Sequence, residues 1–164
     1  MRRKRGLGIV LSLGVMMCAS CVPSRNRIYT IGDTVDLEAG YIRLIGANYQ
    51  WIDENACDLK LTYKIYSETE RKLDNTKLAV VCGSEHWDTD RNRNAKDNGT
   101  DIFEAVILNE ITYAFHFVVP RSPYFDDLEN RTEGYLGWRI KCYIEEALFE
   151  VYTGSMHDEN LYSF

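Results

Sequence analysis

The stretch CDLKLTYKIYS, residues 57–67, decides the fold. Large apolar side chains occupy every second position and polar ones stand between them: Leu59, Leu61, Tyr63 and Ile65 alternate with Lys60, Thr62 and Lys64. A period of two is typical of a strand with one face in a core and the other in water. The stretch therefore predicts a long strand with a polar outer face.

Shorter runs of the same character surround this strand. Ile111–Val119 alternates in the same way and stops at Pro120. Further runs rich in β-branched and aromatic residues lie at 28–31, 34–37, 41–52, 78–82 and 102–108. Seven or more short strands with polar breaks between them predict an antiparallel β-sandwich. The segments 83–101 and 121–134 are predicted to be long polar loops, with Asn98-Gly99 as a turn signal in the first.

The C-terminal part of the pattern permits two interpretations. Trp138, Ile140, Cys142 and Ile144 alternate as in a strand. A helical stripe also fits, through Ile140, Ile144, Leu148 and Val151,. The predicted fold class is therefore mainly β, with one short helix near the C-terminus as the alternative for the second half of 136–152. Residues 156–164 are predicted to form a frayed tail.

The N-terminus has the pattern of an export signal. The basic residues Arg2, Arg3, Lys4 and Arg5 precede an uncharged run, residues 7–19. This run is shorter than the ~20 apolar residues that a membrane-spanning helix needs, and a basic head before a short apolar run is typical of a secretory signal peptide. The run ends in Cys18-Ala19-Ser20-Cys21.

This ending resembles the lipobox of bacterial lipoproteins, although Cys18 stands where the family usually has Leu. The resemblance implies acylation of the Cys21 thiol, cleavage before it and acylation of the new amino group. It divides the chain into a signal peptide (1–20), a lipidated tether (21–27), a domain (28–155) and the tail. The non-acidic Val22 implies the outer membrane, facing the periplasm. A plain signal peptide or an uncleaved anchor is the alternative.

The domain also resembles the immunoglobulin-like domains of small bacterial lipoproteins. The resemblance rests on Ile-Gly-Asp-Thr-Val at 31–35, the strand near 59–66 and Val119-Pro120. It implies a sandwich that binds a ligand and catalyses nothing.

The charge of the chain restricts its partners. Four of the 19 basic residues lie in the signal, which leaves 15 basic and 25 acidic residues after it, a net charge of −10. Nucleic acids and anionic lipid surfaces as ligands both require a basic footprint. The sequence therefore predicts no nucleic-acid partner, argues against an anionic lipid surface as a ligand, and is compatible with a basic protein.

Three cysteines remain if Cys21 carries lipid. Cys57 and Cys142 each share a predicted core face with apolar neighbours, so a Cys57–Cys142 disulfide is the preferred pairing,. Cys82 beside Val80 is the rival partner. Three buried, reduced thiols are the other alternative, since connectivity is not encoded in spacing.

Catalytic and metal-binding motifs are missing. The histidines lack zinc-ligand spacing, and no Gly-x-Ser-x-Gly or nucleotide-binding loop occurs,. The 88–101 segment alternates oxygen ligands, but Ala95 replaces the turn glycine of a calcium loop, and Arg91 and Arg93 place positive charge beside the cation,. We expect an exposed polar loop here, and no enzyme activity, metal or cofactor.

Recognition is the remaining class of function. Trp87, Asp88 and Asp90 begin the first long loop and Tyr124-Phe125 lies in the second, so these five are the candidate binding residues. Aromatic caps on the core are the alternative. The predicted function is a lipid-anchored, non-catalytic module of the cell envelope that binds a protein or envelope component. An immunity-type inhibitor of a periplasmic toxin ranks second, and a small hydrolase third.

Overall fold

Ten strands and one helix of eight residues form in the part of the chain that this computed structural model describes, residues 27–125, Leu128 and 137–159. The strands are β1 (Ile28–Tyr29), β2 (Thr34–Leu37), β3 (Gly40–Trp51), β4 (Ala56–Arg71), β5 (Leu78–Cys82), β6 (Glu85–Asp88), β7 (Ile107–Pro120), β8 (Arg139–Ile144), β9 (Ala147–Tyr152) and β10 (His157–Asp158), and the helix is α1 (Arg91–Asn98). Among these residues, no helix is long and apolar enough to span a membrane.

The strands form two sheets that pack as a sandwich, which confirms the predicted fold class. Sheet I has the order β1-β9-β8-β5-β6, and sheet II has β10-β3-β4-β7 with β2 also on β3. Neighbours pair antiparallel except in two short ladders, β1 on β9 and β10 on β3. β4 and β7 pair in one sheet while β5 and β8 pair in the other, which is the Greek-key order of immunoglobulin-like sandwiches.

The alternation in β4 works as predicted. Leu59, Leu61, Tyr63 and Ile65 are fully buried. The Tyr63 ring lies 5.7 Å from the Phe115 ring of its own sheet and 5.7 Å from the Phe149 ring of the opposite sheet, with edge-to-face geometry in both contacts. Aromatic pairs in this arrangement add to the stabilisation from burial, so Tyr63 joins the two sheets at the centre of the core.

The prediction of a loop over 83–101 is wrong. The segment contains β6 and α1. Asp90 caps the helix N-terminus by accepting from the backbone amides of Asn92 and Arg93, and Gly99 ends it at φ 73°, so Asn98-Gly99 is a helix end. The helix has no apolar stripe to detect. The strand predicted over 102–108 begins only at Ile107.

The C-terminal part forms a hairpin, which excludes the alternative of a helix there. Ile140 and Ile144 reach the core from β8, and Val151 reaches it from β9. Glu145 turns the chain between them with a positive φ of 52°. The beginning of the predicted tail is also ordered, because Met156 is buried and β10 pairs with β3.

The predicted Cys57–Cys142 disulfide does not form. Cys142 lies beside Phe149, which packs on Tyr63, whereas Cys57 is six residues from Tyr63 along β4. At about 3.3 Å per residue this separation is roughly 20 Å, far above the ~7 Å limit between the Cα atoms of a disulfide. Cys82 and Cys142 are buried thiols, and burial raises the pKa of both.

Candidate functional site

The free edge of sheet II is completed by side chains of α1. Among the described strands, β7 pairs only with β4. On its other edge, the Asn98 amide donates to the Ala114 carbonyl and accepts from the Ala114 N–H, both at 2.8 Å. Asn94 accepts from the His116 N–H at 2.7 Å, and the Asp90 N–H donates to the His116 carbonyl at 2.7 Å. These bonds occupy the groups through which an edge strand could aggregate.

A charged cluster lies between α1 and the outer face of sheet II. Its centre is His116, whose Nδ1 lies 2.9 Å from Asp58 Oδ2 and whose Nε2 lies 3.2 Å from Asp97 Oδ2. Arg93 Nη1 donates to Asp58 at 3.2 Å. Asp58 and His116 are buried, and Asp97 reaches solvent. One imidazole and one guanidinium thus share a buried carboxylate.

The geometry favours the charged form of His116. Burial by itself lowers the pKa of the imidazole, but the hydrogen bonds and charges of Asp58 and Asp97 outweigh it, so the pKa is raised. Because a carboxylate can only accept, both ring nitrogens donate, which describes an imidazolium. Burial raises the pKa of Asp97, but its contacts with His116 and Lys60 reverse this and lower it.

Lys60 extends the cluster to the end of the described chain. Its Nζ lies 3.0 Å from Glu159 and 3.5 Å from Asp97. Asn48 of β3 also donates to Glu159, at 2.9 Å. Glu159 follows β10, so the cluster fastens both α1 and the C-terminal segment to sheet II.

The cluster is arranged to hold elements together. Among its described members, the one imidazole has both nitrogens engaged by carboxylates, so it offers no free base,. No group of three or more metal-ligating side chains occurs in the described part of the chain. Its geometry therefore supports a structural role.

The outer face of sheet I differs in both cover and composition. Its apolar side chains, which we call the aromatic face, are Ala79, Val81, Tyr143, Leu148 and Tyr152. The register places Ala79 opposite Tyr143 and Tyr143 opposite Leu148, so these three form a row across β5, β8 and β9. Tyr143 and Tyr152 are exposed.

Charged groups lie beside and within the aromatic face. The Arg139 guanidinium lies 4.8 Å from the centroid of the Tyr152 ring and its Nη1 is 3.0 Å from Glu150. Lys141 lies opposite Glu150 in the register. Exposed tyrosines with a nearby arginine are the composition that interfaces favour.

The five predicted binding residues do not form one exposed site. Phe125 is fully buried and Trp87 is 8 % exposed, and their rings meet edge to face with centroids 5.3 Å apart. They cap the core, as the alternative interpretation held. Tyr124 is half-buried against Trp138, and Asp90 caps α1. Asp88 is exposed and pairs with His86 at 3.1 Å. Cys21 lies outside the described residues.

Two residues of the charged cluster that sequence reasoning missed have a partial signal in the sequence. Asp58 and His116 occupy polar positions on the outer faces of β4 and β7 and lie two positions out of register. Because side chains alternate between the two faces of a strand, their positions could have predicted that both lie on the outer face of the same sheet. Nothing in the sequence placed α1 above them, because its buried face consists of polar side chains such as Asn94.

One shallow cleft of about 340 Å³ lies beside the first half of β7, with Ile102, Val106 and Leu108 in its lining. This volume is at the lower limit for ligand pockets. None of the predicted site residues line it.

Comparison with known proteins supports the fold alone. No protein-family model matches the chain, and no curated protein matches it. The chain is similar to an uncharacterised β-sandwich protein from Clostridium difficile 630, with a TM-score of 0.50 and 8 % sequence identity over 76 % of this chain and 93 % of that one.

Proposed function

We propose that this protein is a lipid-anchored, non-catalytic binding module of the cell envelope, and that it holds a protein or envelope component on the aromatic face. The observation that carries the proposal is the row of outward-facing apolar side chains across sheet I, from Ala79 through Tyr143 to Leu148, with the exposed Tyr143 ring at its centre. Lipidation of Cys21, as its lipobox-like sequence implies, supplies the anchor.

Two features support recognition over catalysis. The charged side chains of the cluster on sheet II bind one another. Both ring nitrogens of His116, for example, contact carboxylates of the cluster. The aromatic face has no helix across it among the described contacts, and Tyr143 offers a rigid ring with little entropy to lose on binding,.

Intact-mass analysis of the protein from membranes tests the anchor. Cleavage before Cys21 with added acyl mass is the expected result, and Cys21→Ala is expected to abolish both. An unmodified mature chain in the wild type would contradict the lipid anchor.

Capture from detergent-solubilised envelopes with the whole lipoprotein as bait tests the binding face. We expect a saturable partner that is lost with Tyr143→Glu. Thr112→Glu is the control, because Thr112 is an exposed residue on the outer face of sheet II and lies opposite Lys64. Equal retention by both variants would exclude the aromatic face as the site.

A further inference from the structure

We propose that a surface at the root of the tether, which adjoins the aromatic face where Ile28 lies beside Leu148, rests on the bilayer that holds Cys21. We call it the tether-root patch and define it by Arg27, Ile28, Ile31, Arg43 and Ile45. The inference depends on the proposed lipid anchor and adds an orientation for the domain on the membrane.

Backbone contacts bring the patch together. Ile28 points outward from β1, the edge strand of sheet I. The Gly32 N–H donates to the Leu44 carbonyl at 2.8 Å, so the turn after β1 lies beside β3. Ile31 and Ile45 flank that bond. The three isoleucines are 49 %, 39 % and 39 % exposed, which is unfavourable in water unless something covers them.

The two arginines lie at the same corner. Asp33 has a lowered pKa, mainly because the backbone and side chain of Thr30 donate to it, with smaller effects from the charges of Arg27 and Arg43. The Asp33 carboxylate is therefore close enough to both guanidinium groups to interact with their charges. Its Oδ2 accepts hydrogen bonds from the backbone N–H and the hydroxyl of Thr30. The Arg27 guanidinium also lies 4.9 Å from the centroid of the Tyr29 ring.

The length of the tether brings the bilayer within reach. Six residue steps separate Cys21 from Arg27. At no more than about 3.5 Å each they span roughly 20 Å, so a lipidated Cys21 keeps this corner of the domain near the membrane surface.

The distribution of charge selects the bilayer as the occupant. The chain after the signal has a net charge of −10, yet this corner carries Arg27 and Arg43, and the tether adds Arg25. Guanidinium groups bind lipid phosphates, and apolar side chains enter the interfacial region. The acidic remainder of the domain would turn away from anionic headgroups.

Fluorescence of the reconstituted lipoprotein tests this orientation. Ile31→Cys is labelled with an environment-sensitive dye and placed in vesicles of phosphatidylcholine with a minority of phosphatidylglycerol, with or without lipids that carry an interfacial spin label. Ile52→Cys is the matched control, because Ile52 is 38 % exposed. It follows Trp51, which lies seven residues from Leu44 along β3, a distance of roughly 23 Å. Cys82 and Cys142 stay unlabelled because they are buried thiols.

We expect a blue-shifted dye at position 31 and several-fold stronger quenching there than at position 52. Ile28→Cys serves as a second reporter. A protein that floats with vesicles but has equal quenching at both positions keeps its anchor and contradicts the patch. A protein that neither floats nor carries acyl mass contradicts the anchor, and the patch with it. A dye at position 31 that is shielded before lipid is added indicates a second copy or a protein partner and overturns the bilayer as occupant.

Discussion

The outer faces of the two sheets serve different purposes. On sheet II, α1 and the C-terminal segment cover a buried ion cluster, and asparagine side chains complete the edge of β7. On sheet I, tyrosines and aliphatic side chains face outward, with Arg139 opposite Tyr152 and Glu150 between Leu148 and Tyr152. The polar side chains of the cluster on sheet II are thus covered by other elements, whereas the tyrosines of the aromatic face on sheet I are exposed.

This difference predicts which substitutions change the stability of the fold and which change binding. A buried charge needs its partners, so substitutions on sheet II are expected to destabilise the fold. Substitutions on the aromatic face remove few internal contacts, so they are expected to change binding and leave the fold intact.

The largest effect is expected from Asp58→Ala. Removal of this carboxylate leaves His116 and Arg93 without their shared partner, which is expected to lower the free energy of unfolding by about 3 kcal/mol. Asp88→Ala is the control, because Asp88 pairs with His86 in the open on sheet I, and a change within about 0.5 kcal/mol is expected there. Urea denaturation measures both. Similar losses would contradict the distinction between the faces.

Asn98→Ala should follow in magnitude. It removes both hydrogen bonds to the Ala114 backbone and exposes part of the β7 edge, at a cost of about 2 kcal/mol. Asn92→Ala changes the same residue type at an exposed position of α1 and is expected to raise the free energy of unfolding by a few tenths of a kcal/mol, because Ala has the higher helix propensity. A faster amide exchange at Ala114 in Asn98→Ala alone would complete the comparison. Equal unfolding midpoints would show that the side-chain bonds contribute nothing.

The pH dependence of stability should identify the cluster directly. The pKa of His116 is raised above 6.5, so its contribution is complete below about pH 6.5 and is lost as pH rises through the folded-state value,. The pKa of Asp97 is lowered below 3.8, so its contribution is lost only as pH falls below about that value,. The unfolding midpoint of the wild type should therefore decline above neutrality, and His116→Gln should flatten the decline. An unchanged profile in that variant would exclude His116 as its source.

The smallest effect is expected on the aromatic face. Tyr152→Ala removes an exposed ring from beside Arg139, worth about 0.5–1 kcal/mol. Thermal unfolding would measure the change. A loss above about 2 kcal/mol would mean that this face also supports the fold.

The sequence predicted the strands better than the helix for a physical reason. Alternation indicates a strand with one exposed face and a short apolar run indicates a buried one, and β2 and β5 were predicted at their observed bounds. The helix α1 has no apolar stripe, because it is held by Asn94, Asn98 and ion pairs, and such contacts exist only once β7 is beside it. Hydrogen bonds and ion pairs between residues far apart in the chain produce no periodic pattern in the sequence.

The candidate site was the least predictable part for the same reason. Trp87 and Phe125 lie in loops by sequence but cap the core by packing, and no local pattern distinguishes a capping ring from an exposed one. The aromatic face arises from Tyr143 and Leu148, which occupy the solvent side of their strands. The pairing of β8 with β9 makes them adjacent.

In-cell photo-crosslinking is the most direct test of the central claim that the aromatic face binds and the covered face holds the fold together. A photoreactive phenylalanine would replace Tyr143 in one strain and Tyr66 in another, with the lipoprotein at its native level. We predict one saturable adduct of defined mass between the lipoprotein and its partner from position 143 and none from position 66. An adduct from position 66 alone, or from neither position, would contradict it.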